Sequence, residues 1–325
     1  MDLLNIQPHK VSKDLNGYIT YIYGAPKTGK TTLATQMPKH LLFFFFCGYN
    51  ALPGVIVQDI TSWGDMKKVM RELKKPEVRE AYDAIIVDTV DIASDACQRY
   101  ICSQLGIESM GEGGYKTNSW KKFKDEFNYT FRTLANYGYA VFFLGHQKES
   151  VDEETGKIII RPAISPKSAA QIIEGMADIY GYAHQKSGHN MSVLTLRHED
   201  ETISCGGRIK YLPNEIEMSY ENLTTAMKDA IEKEAMEHNN EFITEEKDTI
   251  TEFKEYDYDA LMSEIGTVVN GLFQKNESYY GPKIKVIVER YLGKGKMVGE
   301  TTPDQAELVS LILDDIKTEL VENDK

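Results

Sequence analysis

Long apolar runs are missing from this chain of 325 residues. The longest, Leu41–Cys47, falls far short of the ~20 residues that a membrane-spanning helix needs. Cysteine is scarce. Cys47, Cys97, Cys102 and Cys205 show no zinc-type spacing and no disulfide framework, so reduced thiols in a cytoplasmic protein are expected. The first residues, Met1-Asp2-Leu3-Leu4-Asn5, lack the basic start and apolar centre of a signal peptide. Positive charge is in deficit, with 37 Lys and Arg against 50 Asp and Glu, a net of −13. That balance argues against a protein that coats nucleic acid by bulk charge, but leaves room for a local basic groove. No internal repeat is present, which removes solenoid architectures.

The acid is unevenly placed. Residues 1–235 carry a net of −3 and residues 236–325 a net of −10. Residues 236–256 are acidic with few large apolar side chains and read as a linker. The expected organisation is a nucleotide-binding core over 1–235, this linker, and a helical domain over 257–325.

What the chain does have is Gly24-Ala25-Pro26-Lys27-Thr28-Gly29-Lys30-Thr31, which fits G-x-x-x-x-G-K-[ST] at every fixed position. Tyr18–Tyr23 before it is rich in β-branched and aromatic residues and reads as a strand. Thr32–Met37 after it reads as a short helix ended by Pro38. Strand, glycine loop and helix are the context the motif requires. In such a loop the backbone N–H groups cradle phosphates, so Gly24 to Thr32 are the expected nucleotide contacts. Lys30 reaches the β- and γ-phosphates, and the Thr31 hydroxyl meets Mg²⁺. ATP and Mg²⁺ are therefore the expected ligands. Gly24 and Gly29 are expected to permit backbone conformations that a side chain obstructs.

The core alternates strand and helix signals. Leu41–Cys47, Ala84–Val87 and Ala140–Gly145 are fully apolar, as parallel strands buried on both faces are. Asp65–Lys75, stopped by Pro76, Ile92–Leu105 and Trp120–Tyr137 read as helices. Lys157–Arg161 and Met191–Arg197 look like strands near the sheet edge, with a helix near Ser168–Met176 between them. The pattern predicts an α/β doubly wound, mostly parallel sheet. Towards the C-terminus, Leu261, Ile265, Val268 and Leu272 share one helical face. Thr302-Pro303-Asp304-Gln305 reads as a capping box ahead of the stripe Val309, Ile312, Leu313, Ile316 and Leu320.

Asp88 ends an apolar strand downstream of the glycine loop. Such an acid holds Mg²⁺ opposite Thr31, or else caps the next helix. His146 and Gln147 end the next apolar strand, at the ligand edge of such a sheet, where either could sense the γ-phosphate or orient water; a helix-cap or loop role is the alternative.

An ordered set of segments resembles the phage-encoded RecA-like P-loop ATPases of the single-strand-annealing recombinase type. The set comprises Gly24–Thr31, Gly48–Gly54, Tyr82–Asp91, Val141–Gln147, Ala177–Ile179, Gly206–Lys210 and Ser219–Leu223, and it covers roughly residues 15–235. The resemblance implies a RecA-like core that binds single-stranded DNA and assembles with itself as a ring or filament in the host cytoplasm. It makes Lys148–Lys167 a DNA-facing loop, with Lys148, Lys157, Arg161 and Lys167 as phosphate contacts. Asp152, Glu153 and Glu154 work against that role. Tyr115 and Lys116 in the glycine-rich stretch 111–118 form the other DNA-proximal loop; for both loops an ordinary surface loop is the alternative. It makes Arg208 and Lys210, two apart on an expected strand, a basic pair that completes a neighbour's nucleotide site; surface ion pairs are the alternative.

The sequence departs from that family at Phe46-Cys47, where the strand after the first helix usually ends in a glutamate that activates water. Asp91 is a candidate replacement. Two readings follow. One is an ATP-dependent DNA annealing or recombination protein. The other is a nucleotide-binding adaptor with little hydrolysis, whose C-terminal region docks a single-strand-binding or replication protein. A small-molecule kinase is a third, with no acceptor-site motif to support it.

Overall fold

The computed structural model describes residue 5 and residues 8–45, 49–112, 116–187, 192–237, 239, 243–244 and 256–322. Two compact units emerge, Met1–Glu252 and Phe253–Lys325. Tyr115, Phe46, Cys47 and most of the expected linker lie outside the described residues.

In the first unit, β1 (Val11–Ser12) precedes β2 (Ile19–Gly24), whose six residues are all buried. The glycine loop leads into α1, which spans Lys30–Ala34 and so starts earlier and ends sooner than expected. Then come β3 (His40–Phe44), β4 (Val57–Asp59) and α2 (Trp63–Glu72). Ser62 caps α2 by accepting a hydrogen bond from the Asp65 N–H. Pro76 does more than stop that helix. It sits in the first turn of a new one, α3 (Pro76–Ala81), where its missing N–H costs nothing. The chain continues through β5 (Ala84–Asp88), α4 (Val90–Leu105) and α5 (Ser119–Asn136). It then forms β6 (Ala140–Val151), β7 (Ile158–Pro162), α6 (Lys167–Met176), β8 (Ile179–Gln185) and β9 (Ser192–Thr195). Last are β10 (Gly206–Gly207), β11 (Glu215–Glu217), the unanticipated α7 (Tyr220–Glu237) and β12 (Ile243–Thr244), which pairs with β1.

The main sheet runs β11-β9-β8-β2-β6-β5-β3-β4. Neighbours from β8 to β4 are parallel, and β9 and β11 add antiparallel edge strands. This mostly parallel sheet, with the glycine loop at its carboxyl edge, meets the α/β expectation. Side chains alternate between two cores with period two. Tyr21, Phe43, Ile85, Val87, Val141 and Phe143 face α2, α4, α5 and α6. Ile22, Leu42, Phe44, Ile86, Phe142 and Leu144 face α1 and α7. On α5 the spacing of four brings Phe123, Phe127 and Phe131, all fully buried, against Trp63 and Phe143. Each such ring contributes roughly 1.5–3 kcal/mol by leaving water.

The region expected as a DNA-facing loop is mostly ordered structure. β6 outruns the apolar stretch and pairs antiparallel with β7, from Gln147↔Pro162 to Val151↔Ile158. The turn between them is held by Asp152, which accepts from the Glu154 and Thr155 N–H groups. The expected strand through Arg208 and Lys210 is also corrected. Only Gly206 and Gly207 pair with β8, because the Arg208 N–H already donates to the Asp178 carbonyl and the chain turns there.

The second unit is helical. α8 (Tyr258–Leu292) has a non-helical residue at Asn276, whose Oδ1 accepts from the Tyr279 N–H and restarts the helix. α9 (Ala306–Ile316) follows a short 3₁₀ turn carrying the Thr302–Gln305 capping box. Val309, Ile312, Leu313, Ile316 and Leu320 are all buried, as their spacing predicts.

Candidate nucleotide site

β2 ends at Gly24, which lies in register with His146 of β6 on one side and Ala183 of β8 on the other. A Cβ on Gly24 would stand 2.1 Å from the Ala183 carbonyl oxygen. Close strand approach, not an unusual backbone angle, thus requires glycine here. Gly29 differs: its φ of +88° is left-handed, as a loop turning into a helix demands. Ala25, Pro26, Lys27 and Thr28 form the arch between them, with Lys27 also at positive φ. Thr28 is buried and its hydroxyl donates to the Ala25 carbonyl. Thr32 is exposed on the first turn of α1.

The Lys30 ammonium is buried under this arch. It donates to the carbonyls of Gly24 at 3.0 Å and Ala25 at 2.8 Å. Burial pushes its pKa down to about 8, against the pull of Asp88 and Asp91. The Thr31 hydroxyl donates to Asp88 Oδ2 at 2.6 Å, across 57 residues of sequence. Asp88 is 4% exposed, and burial raises its pKa, with the Thr31 hydrogen bond and the Lys30 charge opposing. A hydroxyl and a carboxylate so placed suit a divalent cation that takes its other ligands from phosphates and water. Among the described residues no cluster of three or more His, Cys, Asp or Glu side chains could hold a metal.

Asp91 is committed to His146. One oxygen accepts the His146 backbone N–H at 3.2 Å and the other meets ring Nδ1 at 2.7 Å. Burial would raise the Asp91 pKa, but the bonds from His146 outweigh it and the value lies below normal. His146 is raised, first by that bond and then, against burial, by the Asp91 charge. Gln147 turns the other way, its amide donating to Glu149 within the hairpin at 2.7 Å.

Other expected site residues lie elsewhere. The Arg208 guanidinium donates to Asp178 Oδ1 and the Gly175 carbonyl, and Asp178 also accepts the Ile19 N–H at the start of β2. Arg208 therefore sits at the amino edge of the sheet, opposite the glycine loop. Lys210 pairs with Glu237 at 2.8 Å. On the hairpin, Lys157 pairs with Asp200. The Arg161 guanidinium donates to the carbonyls of Ile160, Glu201 and Thr202, and Lys148 is exposed. Lys167 opens α6 and Lys116 is exposed ahead of α5. The sequence reading did not anticipate the Asp178 bridge or the Asp91–His146 bond, since both join segments that carry no local sign of each other.

A glycine loop with a buried lysine, and a threonine bonded to a strand-end aspartate, on a mostly parallel sheet, define a P-loop nucleotide-binding protein. The chain belongs to the AAA domain family, which it matches over residues 16–205. It is similar, at 30% identity over 99% of both chains, to the SPbeta prophage-derived uncharacterized protein YorG of Bacillus subtilis (strain 168). Among solved structures it is similar to the RadB recombinase, at 15% identity and a TM-score of 0.36, over 57% of this chain and 84% of that one. It is also similar to the flagellar accessory protein FlaH of Methanocaldococcus jannaschii, at 14% identity and a TM-score of 0.33, over 55% and 76%. At these scores neither superposition adds to the fold reading, which stands on the strand order. No helix among the described residues is long and apolar enough to cross a membrane.

Proposed function

We propose that the chain is a RecA-like ATPase of phage type that binds ATP with Mg²⁺ and works on single-stranded DNA in annealing or recombination. The observation that carries the nucleotide half is the Thr31–Asp88 contact of 2.6 Å beneath a buried Lys30. On binding, Lys30 exchanges the Gly24 and Ala25 carbonyls for phosphate oxygens, a stronger charge-assisted partnership. Thr31 and Asp88 would hold Mg²⁺, which would supply positive charge to offset that of the phosphates. His146, in register with Gly24 and bonded to Asp91, stands at the sheet edge that such a ligand faces. Self-assembly into a ring or filament fits the position of Arg208. It lies some six residues of strand, about 20 Å, from the glycine loop of its own sheet, which puts a nucleotide bound there beyond its reach.

The test is ATP turnover with and without single-stranded DNA, alongside Lys30→Ala. Stimulation by DNA and loss of turnover in the variant are expected. Turnover indifferent to DNA, with no DNA binding at low salt, sinks the DNA half.

A second reading, an adaptor with little hydrolysis, draws support from one observation. At the carboxyl edge of the sheet, Asp88 at the end of β5 is engaged by Thr31 and Asp91 in the first turn of α4 by His146, leaving neither carboxylate poised as a general base. ATP binding with negligible phosphate release is its signature.

A further inference from the structure

Away from the nucleotide, α2 and α5 enclose a groove of ≈150 Å³. Lys67, Arg71 and Lys74 line one wall, at helical spacings of four and three that put them on one face. Tyr129 stands on the other wall with its side chain 68% exposed. The acid in the groove is Glu126: its Oε1 receives the Trp63 indole N–H at 2.9 Å and lies 3.1 Å from Lys67, so these two charges offset each other, and Lys67 also donates to the Tyr100 hydroxyl at 3.4 Å. At the far end, the Arg79 guanidinium lies over the Tyr137 ring.

The surroundings reinforce this. Residues 63–75 and 119–136 together hold nine Lys and Arg against four Asp and Glu, in a chain where acids outnumber bases. Two of those acids, Asp65 and Glu72, are paired within α2 and its C-terminal turn to Lys68 and Lys75. The β6–β7 hairpin is the opposite case. Residues 148–161 carry three cations against four acids.

We propose that the groove between α2 and α5, with Lys67, Arg71 and Lys74 on one wall and Tyr129 on the other, tracks a single strand of nucleic acid. A row of cations takes successive phosphates, and an exposed tyrosine ring beside them takes the face of an unpaired base. A duplex offers no free base face to the ring. The inference rests on the nucleic-acid half of the function proposed above, and relocates the contact from the hairpin to the helices.

The test measures anisotropy of labelled oligomers of about twenty deoxythymidines or uridines over a salt series. The tighter binder identifies the natural strand. Arg71→Glu with Lys74→Glu, both exposed positions, is expected to weaken binding at least about tenfold at low salt. It should lower the slope of log affinity against log salt by about 1.4, two phosphate contacts' worth. Tyr129→Ala is expected to cost about fivefold or more. ATP binding and the melting temperature serve as folding controls and should not move. If the double variant binds both strands within about twofold of wild type, the inference is overturned while the functional reading stands. The same holds if Lys148→Glu with Lys157→Glu is the variant that abolishes binding. If wild type binds neither strand, the nucleic-acid reading fails first and this site falls with it.

Discussion

Gly24 and the Asp91–His146 pair are the residues where the site is most exposed to single changes. The Ala183 carbonyl lies where an alanine Cβ at position 24 would stand, so Gly24→Ala must push β2 away from β8. Overpacking of this kind costs about 1–3 kcal/mol, and a melting curve should shift down by several degrees, with ATP binding lost. The Asp91–His146 pair makes a pH prediction. The histidine pKa is raised in the folded state, so its stabilisation is complete below the ordinary imidazole value of ~6.5 and is lost as pH rises through the raised value. The aspartate pKa is lowered, so its share is present above the ordinary carboxylate value of ~3.9 and is lost as pH falls through the lowered one. Wild type should therefore exceed His146→Gln in melting temperature at mildly acidic pH, and the gap should narrow as pH rises through the raised histidine value. A gap that does not change with pH would show that the bond is not ionic.

At the scale of elements, local patterns were legible where the physics is local. Apolar runs marked β3, β5 and β6, spacings of three and four marked α5, and Thr302–Gln305 marked the start of α9. What stayed hidden depended on distant partners. β6 continues past Gly145 because β7 supplies its hydrogen bonds, and those residues read as polar loop when taken alone. Arg208 turns out of its expected strand because Asp178 holds both its backbone and its guanidinium. The nucleotide loop was readable down to single residues, since its chemistry lies in consecutive positions. The groove on α2 and α5 was not, since its two walls are about sixty residues apart. The break in α8 was likewise missed. Asn276 there acts as an internal cap, so Asn276→Ala should destabilise the helical unit by about 1 kcal/mol, visible as faster amide exchange at Tyr279 and the turn after it.

For the whole molecule, the decisive relation is between the two edges of the sheet. The glycine loop lies at the carboxyl edge and Arg208 at the amino edge. If Arg208 serves a neighbour, Lys30→Ala and Arg208→Ala should each abolish turnover, yet a mixture of the two should recover part of it. One kind of subunit keeps an intact loop, and the other keeps an intact arginine to complete it. A mixture as inactive as its components would remove the shared site and leave Arg208 its bridge to Asp178 and Gly175. Donor and acceptor on opposite edges have a counting consequence. Copies joined head to tail in an open row leave one loop uncompleted at the end, so n chains share n minus one finished sites. A closed ring wastes none. Turnover per chain in a growing row would climb towards a ceiling as the row lengthens, so the assembly would meter its own length through its rate.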